Sequence, residues 1–139
     1  MDPALLSLAL IVPIALLSMV QSSPNAEAER YAMVVGLKPD QVERYKMLHA
    51  NTWPGVLNRI TECNIRNYSI HLVELKMDEY YLFSYFEYVG DDFEADMNNM
   101  AEDETTLRWW KETDPTQIPI ETAGDGEQWT RLEEVFYHH

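Results

Sequence analysis

The stretch Asn64 to Val89 reads NIRNYSIHLVELKMDEYYLFSYFEYV, and it decides the fold. Its two halves, Asn64 to Leu75 and Tyr80 to Val89, are rich in β-branched and aromatic residues. Lys76 to Glu79 between them has the length of a hairpin turn, so the stretch predicts two antiparallel strands. Upstream, Arg30 to Leu37 (RYAMVVGL) is a short apolar run that predicts another strand. Lys38-Pro39-Asp40 then signals a helix start, with proline and an acid in the first turn. Val42, Tyr45, Leu48 and His49 follow at helical spacing on one face. Pro54, just after Trp53, interrupts and restarts that helix, and Val56, Leu57 and Ile60 continue its apolar stripe. Downstream, Asp91 to Met100 and Thr105 to Lys111 predict two short helices. Asp114 to Gln128, with its Pro, Gly and Thr residues, predicts a loop. Leu132 to Tyr137 (LEEVFY) predicts a closing strand.

The resulting order is β, α, β, β, α, β. This is the ferredoxin-like split βαβ arrangement of the α+β class, an antiparallel sheet with helices on one face. The other sheet face needs a cover, and on a domain this small a second subunit is the usual one, so a homodimer is expected.

Ahead of the domain, Ala4 to Val20 (ALLSLALIVPIALLSMV) is apolar apart from two serines and Pro13. It is short for a bilayer span and has the length of a signal-peptide core. Residues 1–23 are therefore expected to be a signal peptide or N-terminal anchor, residues 24–29 a linker, and residues 30–139 the domain. A cleaved leader implies a periplasmic or secreted protein with no membrane contact afterwards. A misassigned start would make it cytoplasmic.

Composition narrows the partners. Twenty-four acids against ten bases leave a formal charge of −14 over 139 residues. A surface this negative repels nucleic acid and anionic lipid. A neutral or cationic small molecule stays open. The single cysteine, Cys63, allows neither an intrachain disulfide nor a cysteine-based zinc site. No glycine-rich phosphate loop, H-E-x-x-H or G-x-S-x-G occurs.

What remains is an aromatic and polar set. Tyr45 and His49, at i and i+4, put a phenol and an imidazole on one helix face. On the second strand Tyr68 and Ile70 share a sheet face, with Asn67 pointing to the other. Trp109 and Trp110 are adjacent, so on a helix they diverge by about 100° and cannot both point into one core. Phe136-Tyr137-His138 ends the last strand. Taken singly, each of these is more often packing than function. Together, apolar ring faces with a few hydroxyl-binding groups are what a sugar site requires.

The segment Glu43 to Val56 (ERYKMLHANTWPGV) resembles the Y-x-x-x-H-x-x-x-W-P pattern of the L-rhamnose mutarotase family. Asn67-Tyr68-Ser69-Ile70, Arg108-Trp109-Trp110-Lys111 and Glu133 to Tyr137 (EEVFY) agree with it in order and spacing. The loop Thr116 to Thr130 and the His138-His139 end depart from it. The resemblance implies a dimeric ferredoxin-like α+β barrel that interconverts the α and β anomers of L-rhamnose with no metal or organic cofactor. It further implies that His49 is the proton donor, while Tyr45, Tyr68, Trp109 and Trp110 bind the sugar. The chemistry suits these residues, because ring opening and reclosure need only an acid–base group titrating near neutrality and an orienting pocket. Two other uses of the fold compete: a small cofactor-free monooxygenase or haem-handling protein, and a non-catalytic secreted sugar-binding module.

Overall fold

The computed structural model describes residues 27–139. The apolar run Ala4 to Val20 and residues 24–26 of the linker lie outside the described residues. β1 (Glu29–Leu37) leads through a 3₁₀ turn into α1 (Val42–Ala50) and α2 (Pro54–Glu62). The hairpin follows as β2 (Ile65–Lys76) and β3 (Glu79–Tyr88), and then α3 (Phe93–Glu102) and α4 (Glu104–Thr113). Two short strands, β4 (Gln117–Ile118) and β5 (Thr130–Arg131), finish the sheet.

The strand order is β2-β3-β1-β4, with β5 also on β1, and every described pairing is antiparallel. That is the order expected of a ferredoxin-like domain. Alternation along the strands explains which face is covered. Tyr31, Val35 and Leu37 of β1 and Leu82, Phe86 and Tyr88 of β3 point to the helices and are buried there. Cys63, 2% exposed, is a small core residue in the same layer. Burial pushes its thiol pKa up, so it is no ready nucleophile.

Two details of the strands shape the site. Between Arg66 and Ser69 the β2–β3 ladder carries an extra residue, and Asn67 there has φ 49°. Without that bulge, Tyr68 would follow its parity to the far face. With it, Ile65, Tyr68 and Ile70 all face the helices. At the other edge, a Cβ on Gly36 would come 2.8 Å from the Ile118 carbonyl oxygen, so glycine lets β4 close against β1.

The closing strand differs from its prediction. Only Thr130–Arg131 forms strand, between the predicted loop 114–128 and the predicted strand 132–137. The segment 132–137 instead runs on beside β1 as an irregular tail. One further ladder bond, Leu132 N–H to the Ala32 carbonyl (2.8 Å), continues the pairing. Beyond it Arg30 holds the tail by side chain alone, donating to both Glu134 carboxylate oxygens (2.8 and 2.7 Å) and lying 3.2 Å over the Tyr137 ring. Val135 and Phe136 stay exposed, so β-propensity here lacks the buried face that would make it a strand. The predicted loop 114–128 likewise contains β4, whose two residues are too few to show a period.

Candidate active site

The helices that carry the candidate residues are fixed before any ligand enters. Asp103 ends α3 and caps α4, accepting from the Thr106 N–H (2.9 Å) and hydroxyl (2.8 Å). The same carboxylate takes a bond from Arg59 of α2 (3.0 Å). Gly55 permits the close approach of these helices, since a Cβ there would lie 3.0 Å from Thr105 Cγ2. Arg44 of α1 donates to Glu112 of α4. α4 is thereby tied to both α1 and α2.

This places all five predicted residues around one cleft between helices and sheet, four of them on both of its lobes. It has two adjoining lobes of about 370 and 350 Å³, both walled by Tyr45, His49, Tyr68 and Trp109. Such volumes suit a small molecule. Trp110, the fifth, lines only the second lobe, with its ring packed on the Tyr31–Cys63 core cluster. The two tryptophans thus diverge as their spacing predicts. The His138 end of the chain lines neither lobe.

The rings form a continuous chain. Tyr45 stacks on His49 at 4.0 Å, and His49 meets Trp109 edge-on at 5.3 Å. Trp53 in turn meets Trp109 edge-on at 5.2 Å. Trp109 is only 6% exposed, so its position is set by packing. His49 Nδ1 lies 2.9 Å from the Tyr45 carbonyl oxygen. A carbonyl only accepts, so Nδ1 carries a proton, and in the neutral ring Nε2 is the free acceptor. Among the described residues Nε2 has no hydrogen-bond partner. Burial lowers the His49 pKa below the ordinary value, against a smaller upward pull from that carbonyl, so the imidazole is neutral at pH 7.

The phenols behave oppositely. Burial pushes the Tyr45 pKa far up, reinforced by the nearby Tyr68. Tyr68 is 44% exposed as a residue, yet burial around its hydroxyl pushes the phenol up to about 12. Both stay protonated and donate hydrogen bonds across the whole working range.

The segment after α4 adds residues that sequence patterning did not single out. Asp114, Gln117, Gln128 and Trp129 line the second lobe. Partial burial pushes the Asp114 carboxyl pKa up, although the residue as a whole is exposed. Trp53 was visible as the residue before Pro54, but only the fold shows it buttressing Trp109. Among the described residues no group of three or more His, Cys, Asp or Glu is placed to hold a metal ion.

Fold and cleft together define a small ferredoxin-like α+β domain with an aromatic pocket built around one neutral imidazole. The family model described as L-rhamnose mutarotase matches residues 30–138. The L-rhamnose mutarotase of Lactiplantibacillus plantarum is 34% identical over 109 residues, covering 78% of this chain and 96% of that protein. That of Listeria monocytogenes is 33% identical over 115 residues, covering 78% and 97%. The crystal structure of an L-rhamnose mutarotase from Formosa agariphila superposes with a TM-score of 0.60 at 25% identity, covering 80% of this chain and 99% of that one. The chain belongs to the L-rhamnose mutarotase family. The oxygenase and sugar-binding-module alternatives gain no support from these matches.

Proposed function

We propose that this chain is a mutarotase that interconverts the α and β anomers of L-rhamnose, with His49 moving the proton and Tyr45, Tyr68, Trp109 and Trp110 holding the sugar. One observation carries the assignment: the only imidazole in the cleft has Nδ1 committed to a carbonyl and Nε2 left as a neutral base. The hydroxyl proton at C1 passes to Nε2, its O–H electron pair becomes the C1=O1 π bond, and the C1–O5 pair leaves with the ring oxygen. O5 then takes the proton from the imidazolium. Both oxygens are bonded to the same carbon, so one imidazole reaches them in turn. Rotation about C1–C2 and the reverse transfers close the ring on the other carbonyl face. No atom is lost, no electron leaves the sugar, and His49 ends neutral. The protonated phenols hold hydroxyls and the developing oxyanion, and the indoles pack on the apolar sugar face.

Saturation-transfer NMR on the two anomeric protons of L-rhamnose tests this directly, with L-fucose and D-glucose as comparisons. The protein should speed exchange of L-rhamnose above the buffer rate. No acceleration at catalytic concentration sinks the assignment.

The far face of the sheet supports a homodimer. Val73, Tyr81, Phe83 and Tyr85, all half-buried, share it by register, and the C-terminal tail reaches it only near Arg30, Ala32 and Tyr85. A second copy on this face would give twice the chain mass in light scattering, and a stable monomer at micromolar concentration contradicts it. Residues 1–23 are best explained as an export leader, cleaved near Ser22 or Ser23. N-terminal sequencing of natively expressed protein decides this, and an intact Met1 overturns it.

A further inference from the structure

The second lobe has a polar end that the aromatic wall does not account for. Gln117 sits on β4, lines this lobe and is 7% exposed. Its Oε1 is buried with no hydrogen-bond partner. A buried acceptor left without a donor destabilises the free protein, and such groups persist where something else completes them. Thr130 Oγ1 is also buried and unpartnered, but it lines neither lobe. Gln117 alone faces the place where the sugar would lie.

We propose that Gln117 is a specificity-determining residue, its Oε1 accepting a hydrogen bond from one hydroxyl of the bound sugar. This rests on the mutarotase reading of the cleft and adds to it an anchor outside the five predicted residues. A site that already contains an unpaired acceptor discriminates strongly, because a ligand lacking the matching hydroxyl leaves it unpaired again. The segment 117–131 supplies this anchor together with Gln128 and Trp129. The aromatic set therefore holds the ring, and this segment selects among hydroxyl patterns.

Gln117→Met keeps the length and volume and removes the acceptor. Calorimetry would give Kd for L-rhamnose and its 2-, 3- and 4-deoxy analogues on both proteins, beside the NMR exchange rate. We expect Kd for L-rhamnose to rise about tenfold in the variant, the size of one good hydrogen bond. One deoxy analogue, the one missing the partner hydroxyl, should bind both proteins equally. The unliganded variant should melt at or above the wild-type temperature, since it has lost an unsatisfied polar group. An unchanged Kd for L-rhamnose overturns the proposal, as does an equal loss for all three analogues, a lower melting temperature, or no binding to the wild type. A wild type that binds L-rhamnose without speeding exchange refutes the mutarotase reading instead, and the Kd comparison still decides the role of Gln117.

Discussion

The two sides of the cleft are made of different material. On one side α1, α4 and the start of α2 present rings in mutual contact, from Tyr45 through His49 and Trp109 to Trp53. The helices beneath them are capped and cross-linked at Asp103, Arg59, Arg44 and Glu112. On the other side the segment 114–131 has two strands of two residues each and presents amides, an acid and one indole. The ring wall is held by ring-to-ring packing without ligand, whereas the segment carries a buried unpaired acceptor. The proposed proton transfer needs a group held in one orientation, which the packed wall gives His49. Discrimination among hydroxyls needs groups that are unmatched until the right ligand arrives, and an irregular segment can hold them without disturbing the core.

Trp109→Ala should show the largest effect, because it strikes the packed wall. The indole is buried between His49 and Trp53, and its removal leaves a cavity whose lining cannot collapse readily. Loss of a buried tryptophan costs about 3–5 kcal/mol, read from urea denaturation. A loss under about 1 kcal/mol would mean that the two walls do not differ in rigidity.

His49→Ala comes next and separates chemistry from holding. Anomer exchange should fall by about 10²-fold or more, while the Kd for L-rhamnose changes little. The pH profile of the wild type sharpens the test. Burial lowers the His49 pKa below the ordinary histidine value of 6.5, so Nε2 is deprotonated at neutrality. Exchange should be level near pH 7 and fall only as pH drops through that lowered pKa, because a protonated Nε2 cannot accept the first proton. A rate that rises on acidification makes the imidazolium the starting form and reverses the order of transfers.

The ring wall was legible in the sequence for a physical reason. A helix repeats its face every three to four residues, so Tyr45 and His49, four apart, had to lie together, and Trp109 and Trp110 had to diverge. The hairpin was legible because twelve and ten residues of strand carry enough alternation to show it. The segment after α4 had no such period. β4 consists of two residues, and Gln117 became a wall of the cleft through the antiparallel pairing of Leu37 with it, a contact between residues far apart in the chain. The tail misled in the opposite direction: LEEVFY has strand composition, but nothing buries its Val135 and Phe136 within one described chain.

Between the two walls lies Tyr68, whose side is set by a single backbone residue, and this gives the smallest and most pointed test. Asn67 occupies the left-handed region at φ 49°, which asparagine and glycine tolerate and β-branched residues do not. Its amide also donates to Glu87 on the far face at 2.7 Å, pinning the bulge from outside. Asn67→Gly keeps the conformation and loses only that exposed bond, so stability and rhamnose affinity should stay within about 0.5 kcal/mol of wild type. Asn67→Val must either hold a strained φ, at about 1–2 kcal/mol, or abandon the bulge. If it abandons the bulge, the parity of β2 changes by one and Tyr68 turns out of the cleft, so affinity falls as well as stability. Measured together, denaturation and rhamnose binding distinguish the routes: a stability loss alone means the bulge holds under strain, and a joint loss means Tyr68 has left. Equal behaviour of the glycine and valine variants in both measurements would show that the bulge does not aim Tyr68, and that its place in the cleft is set by packing against Phe86, which its ring meets edge-on at 5.7 Å.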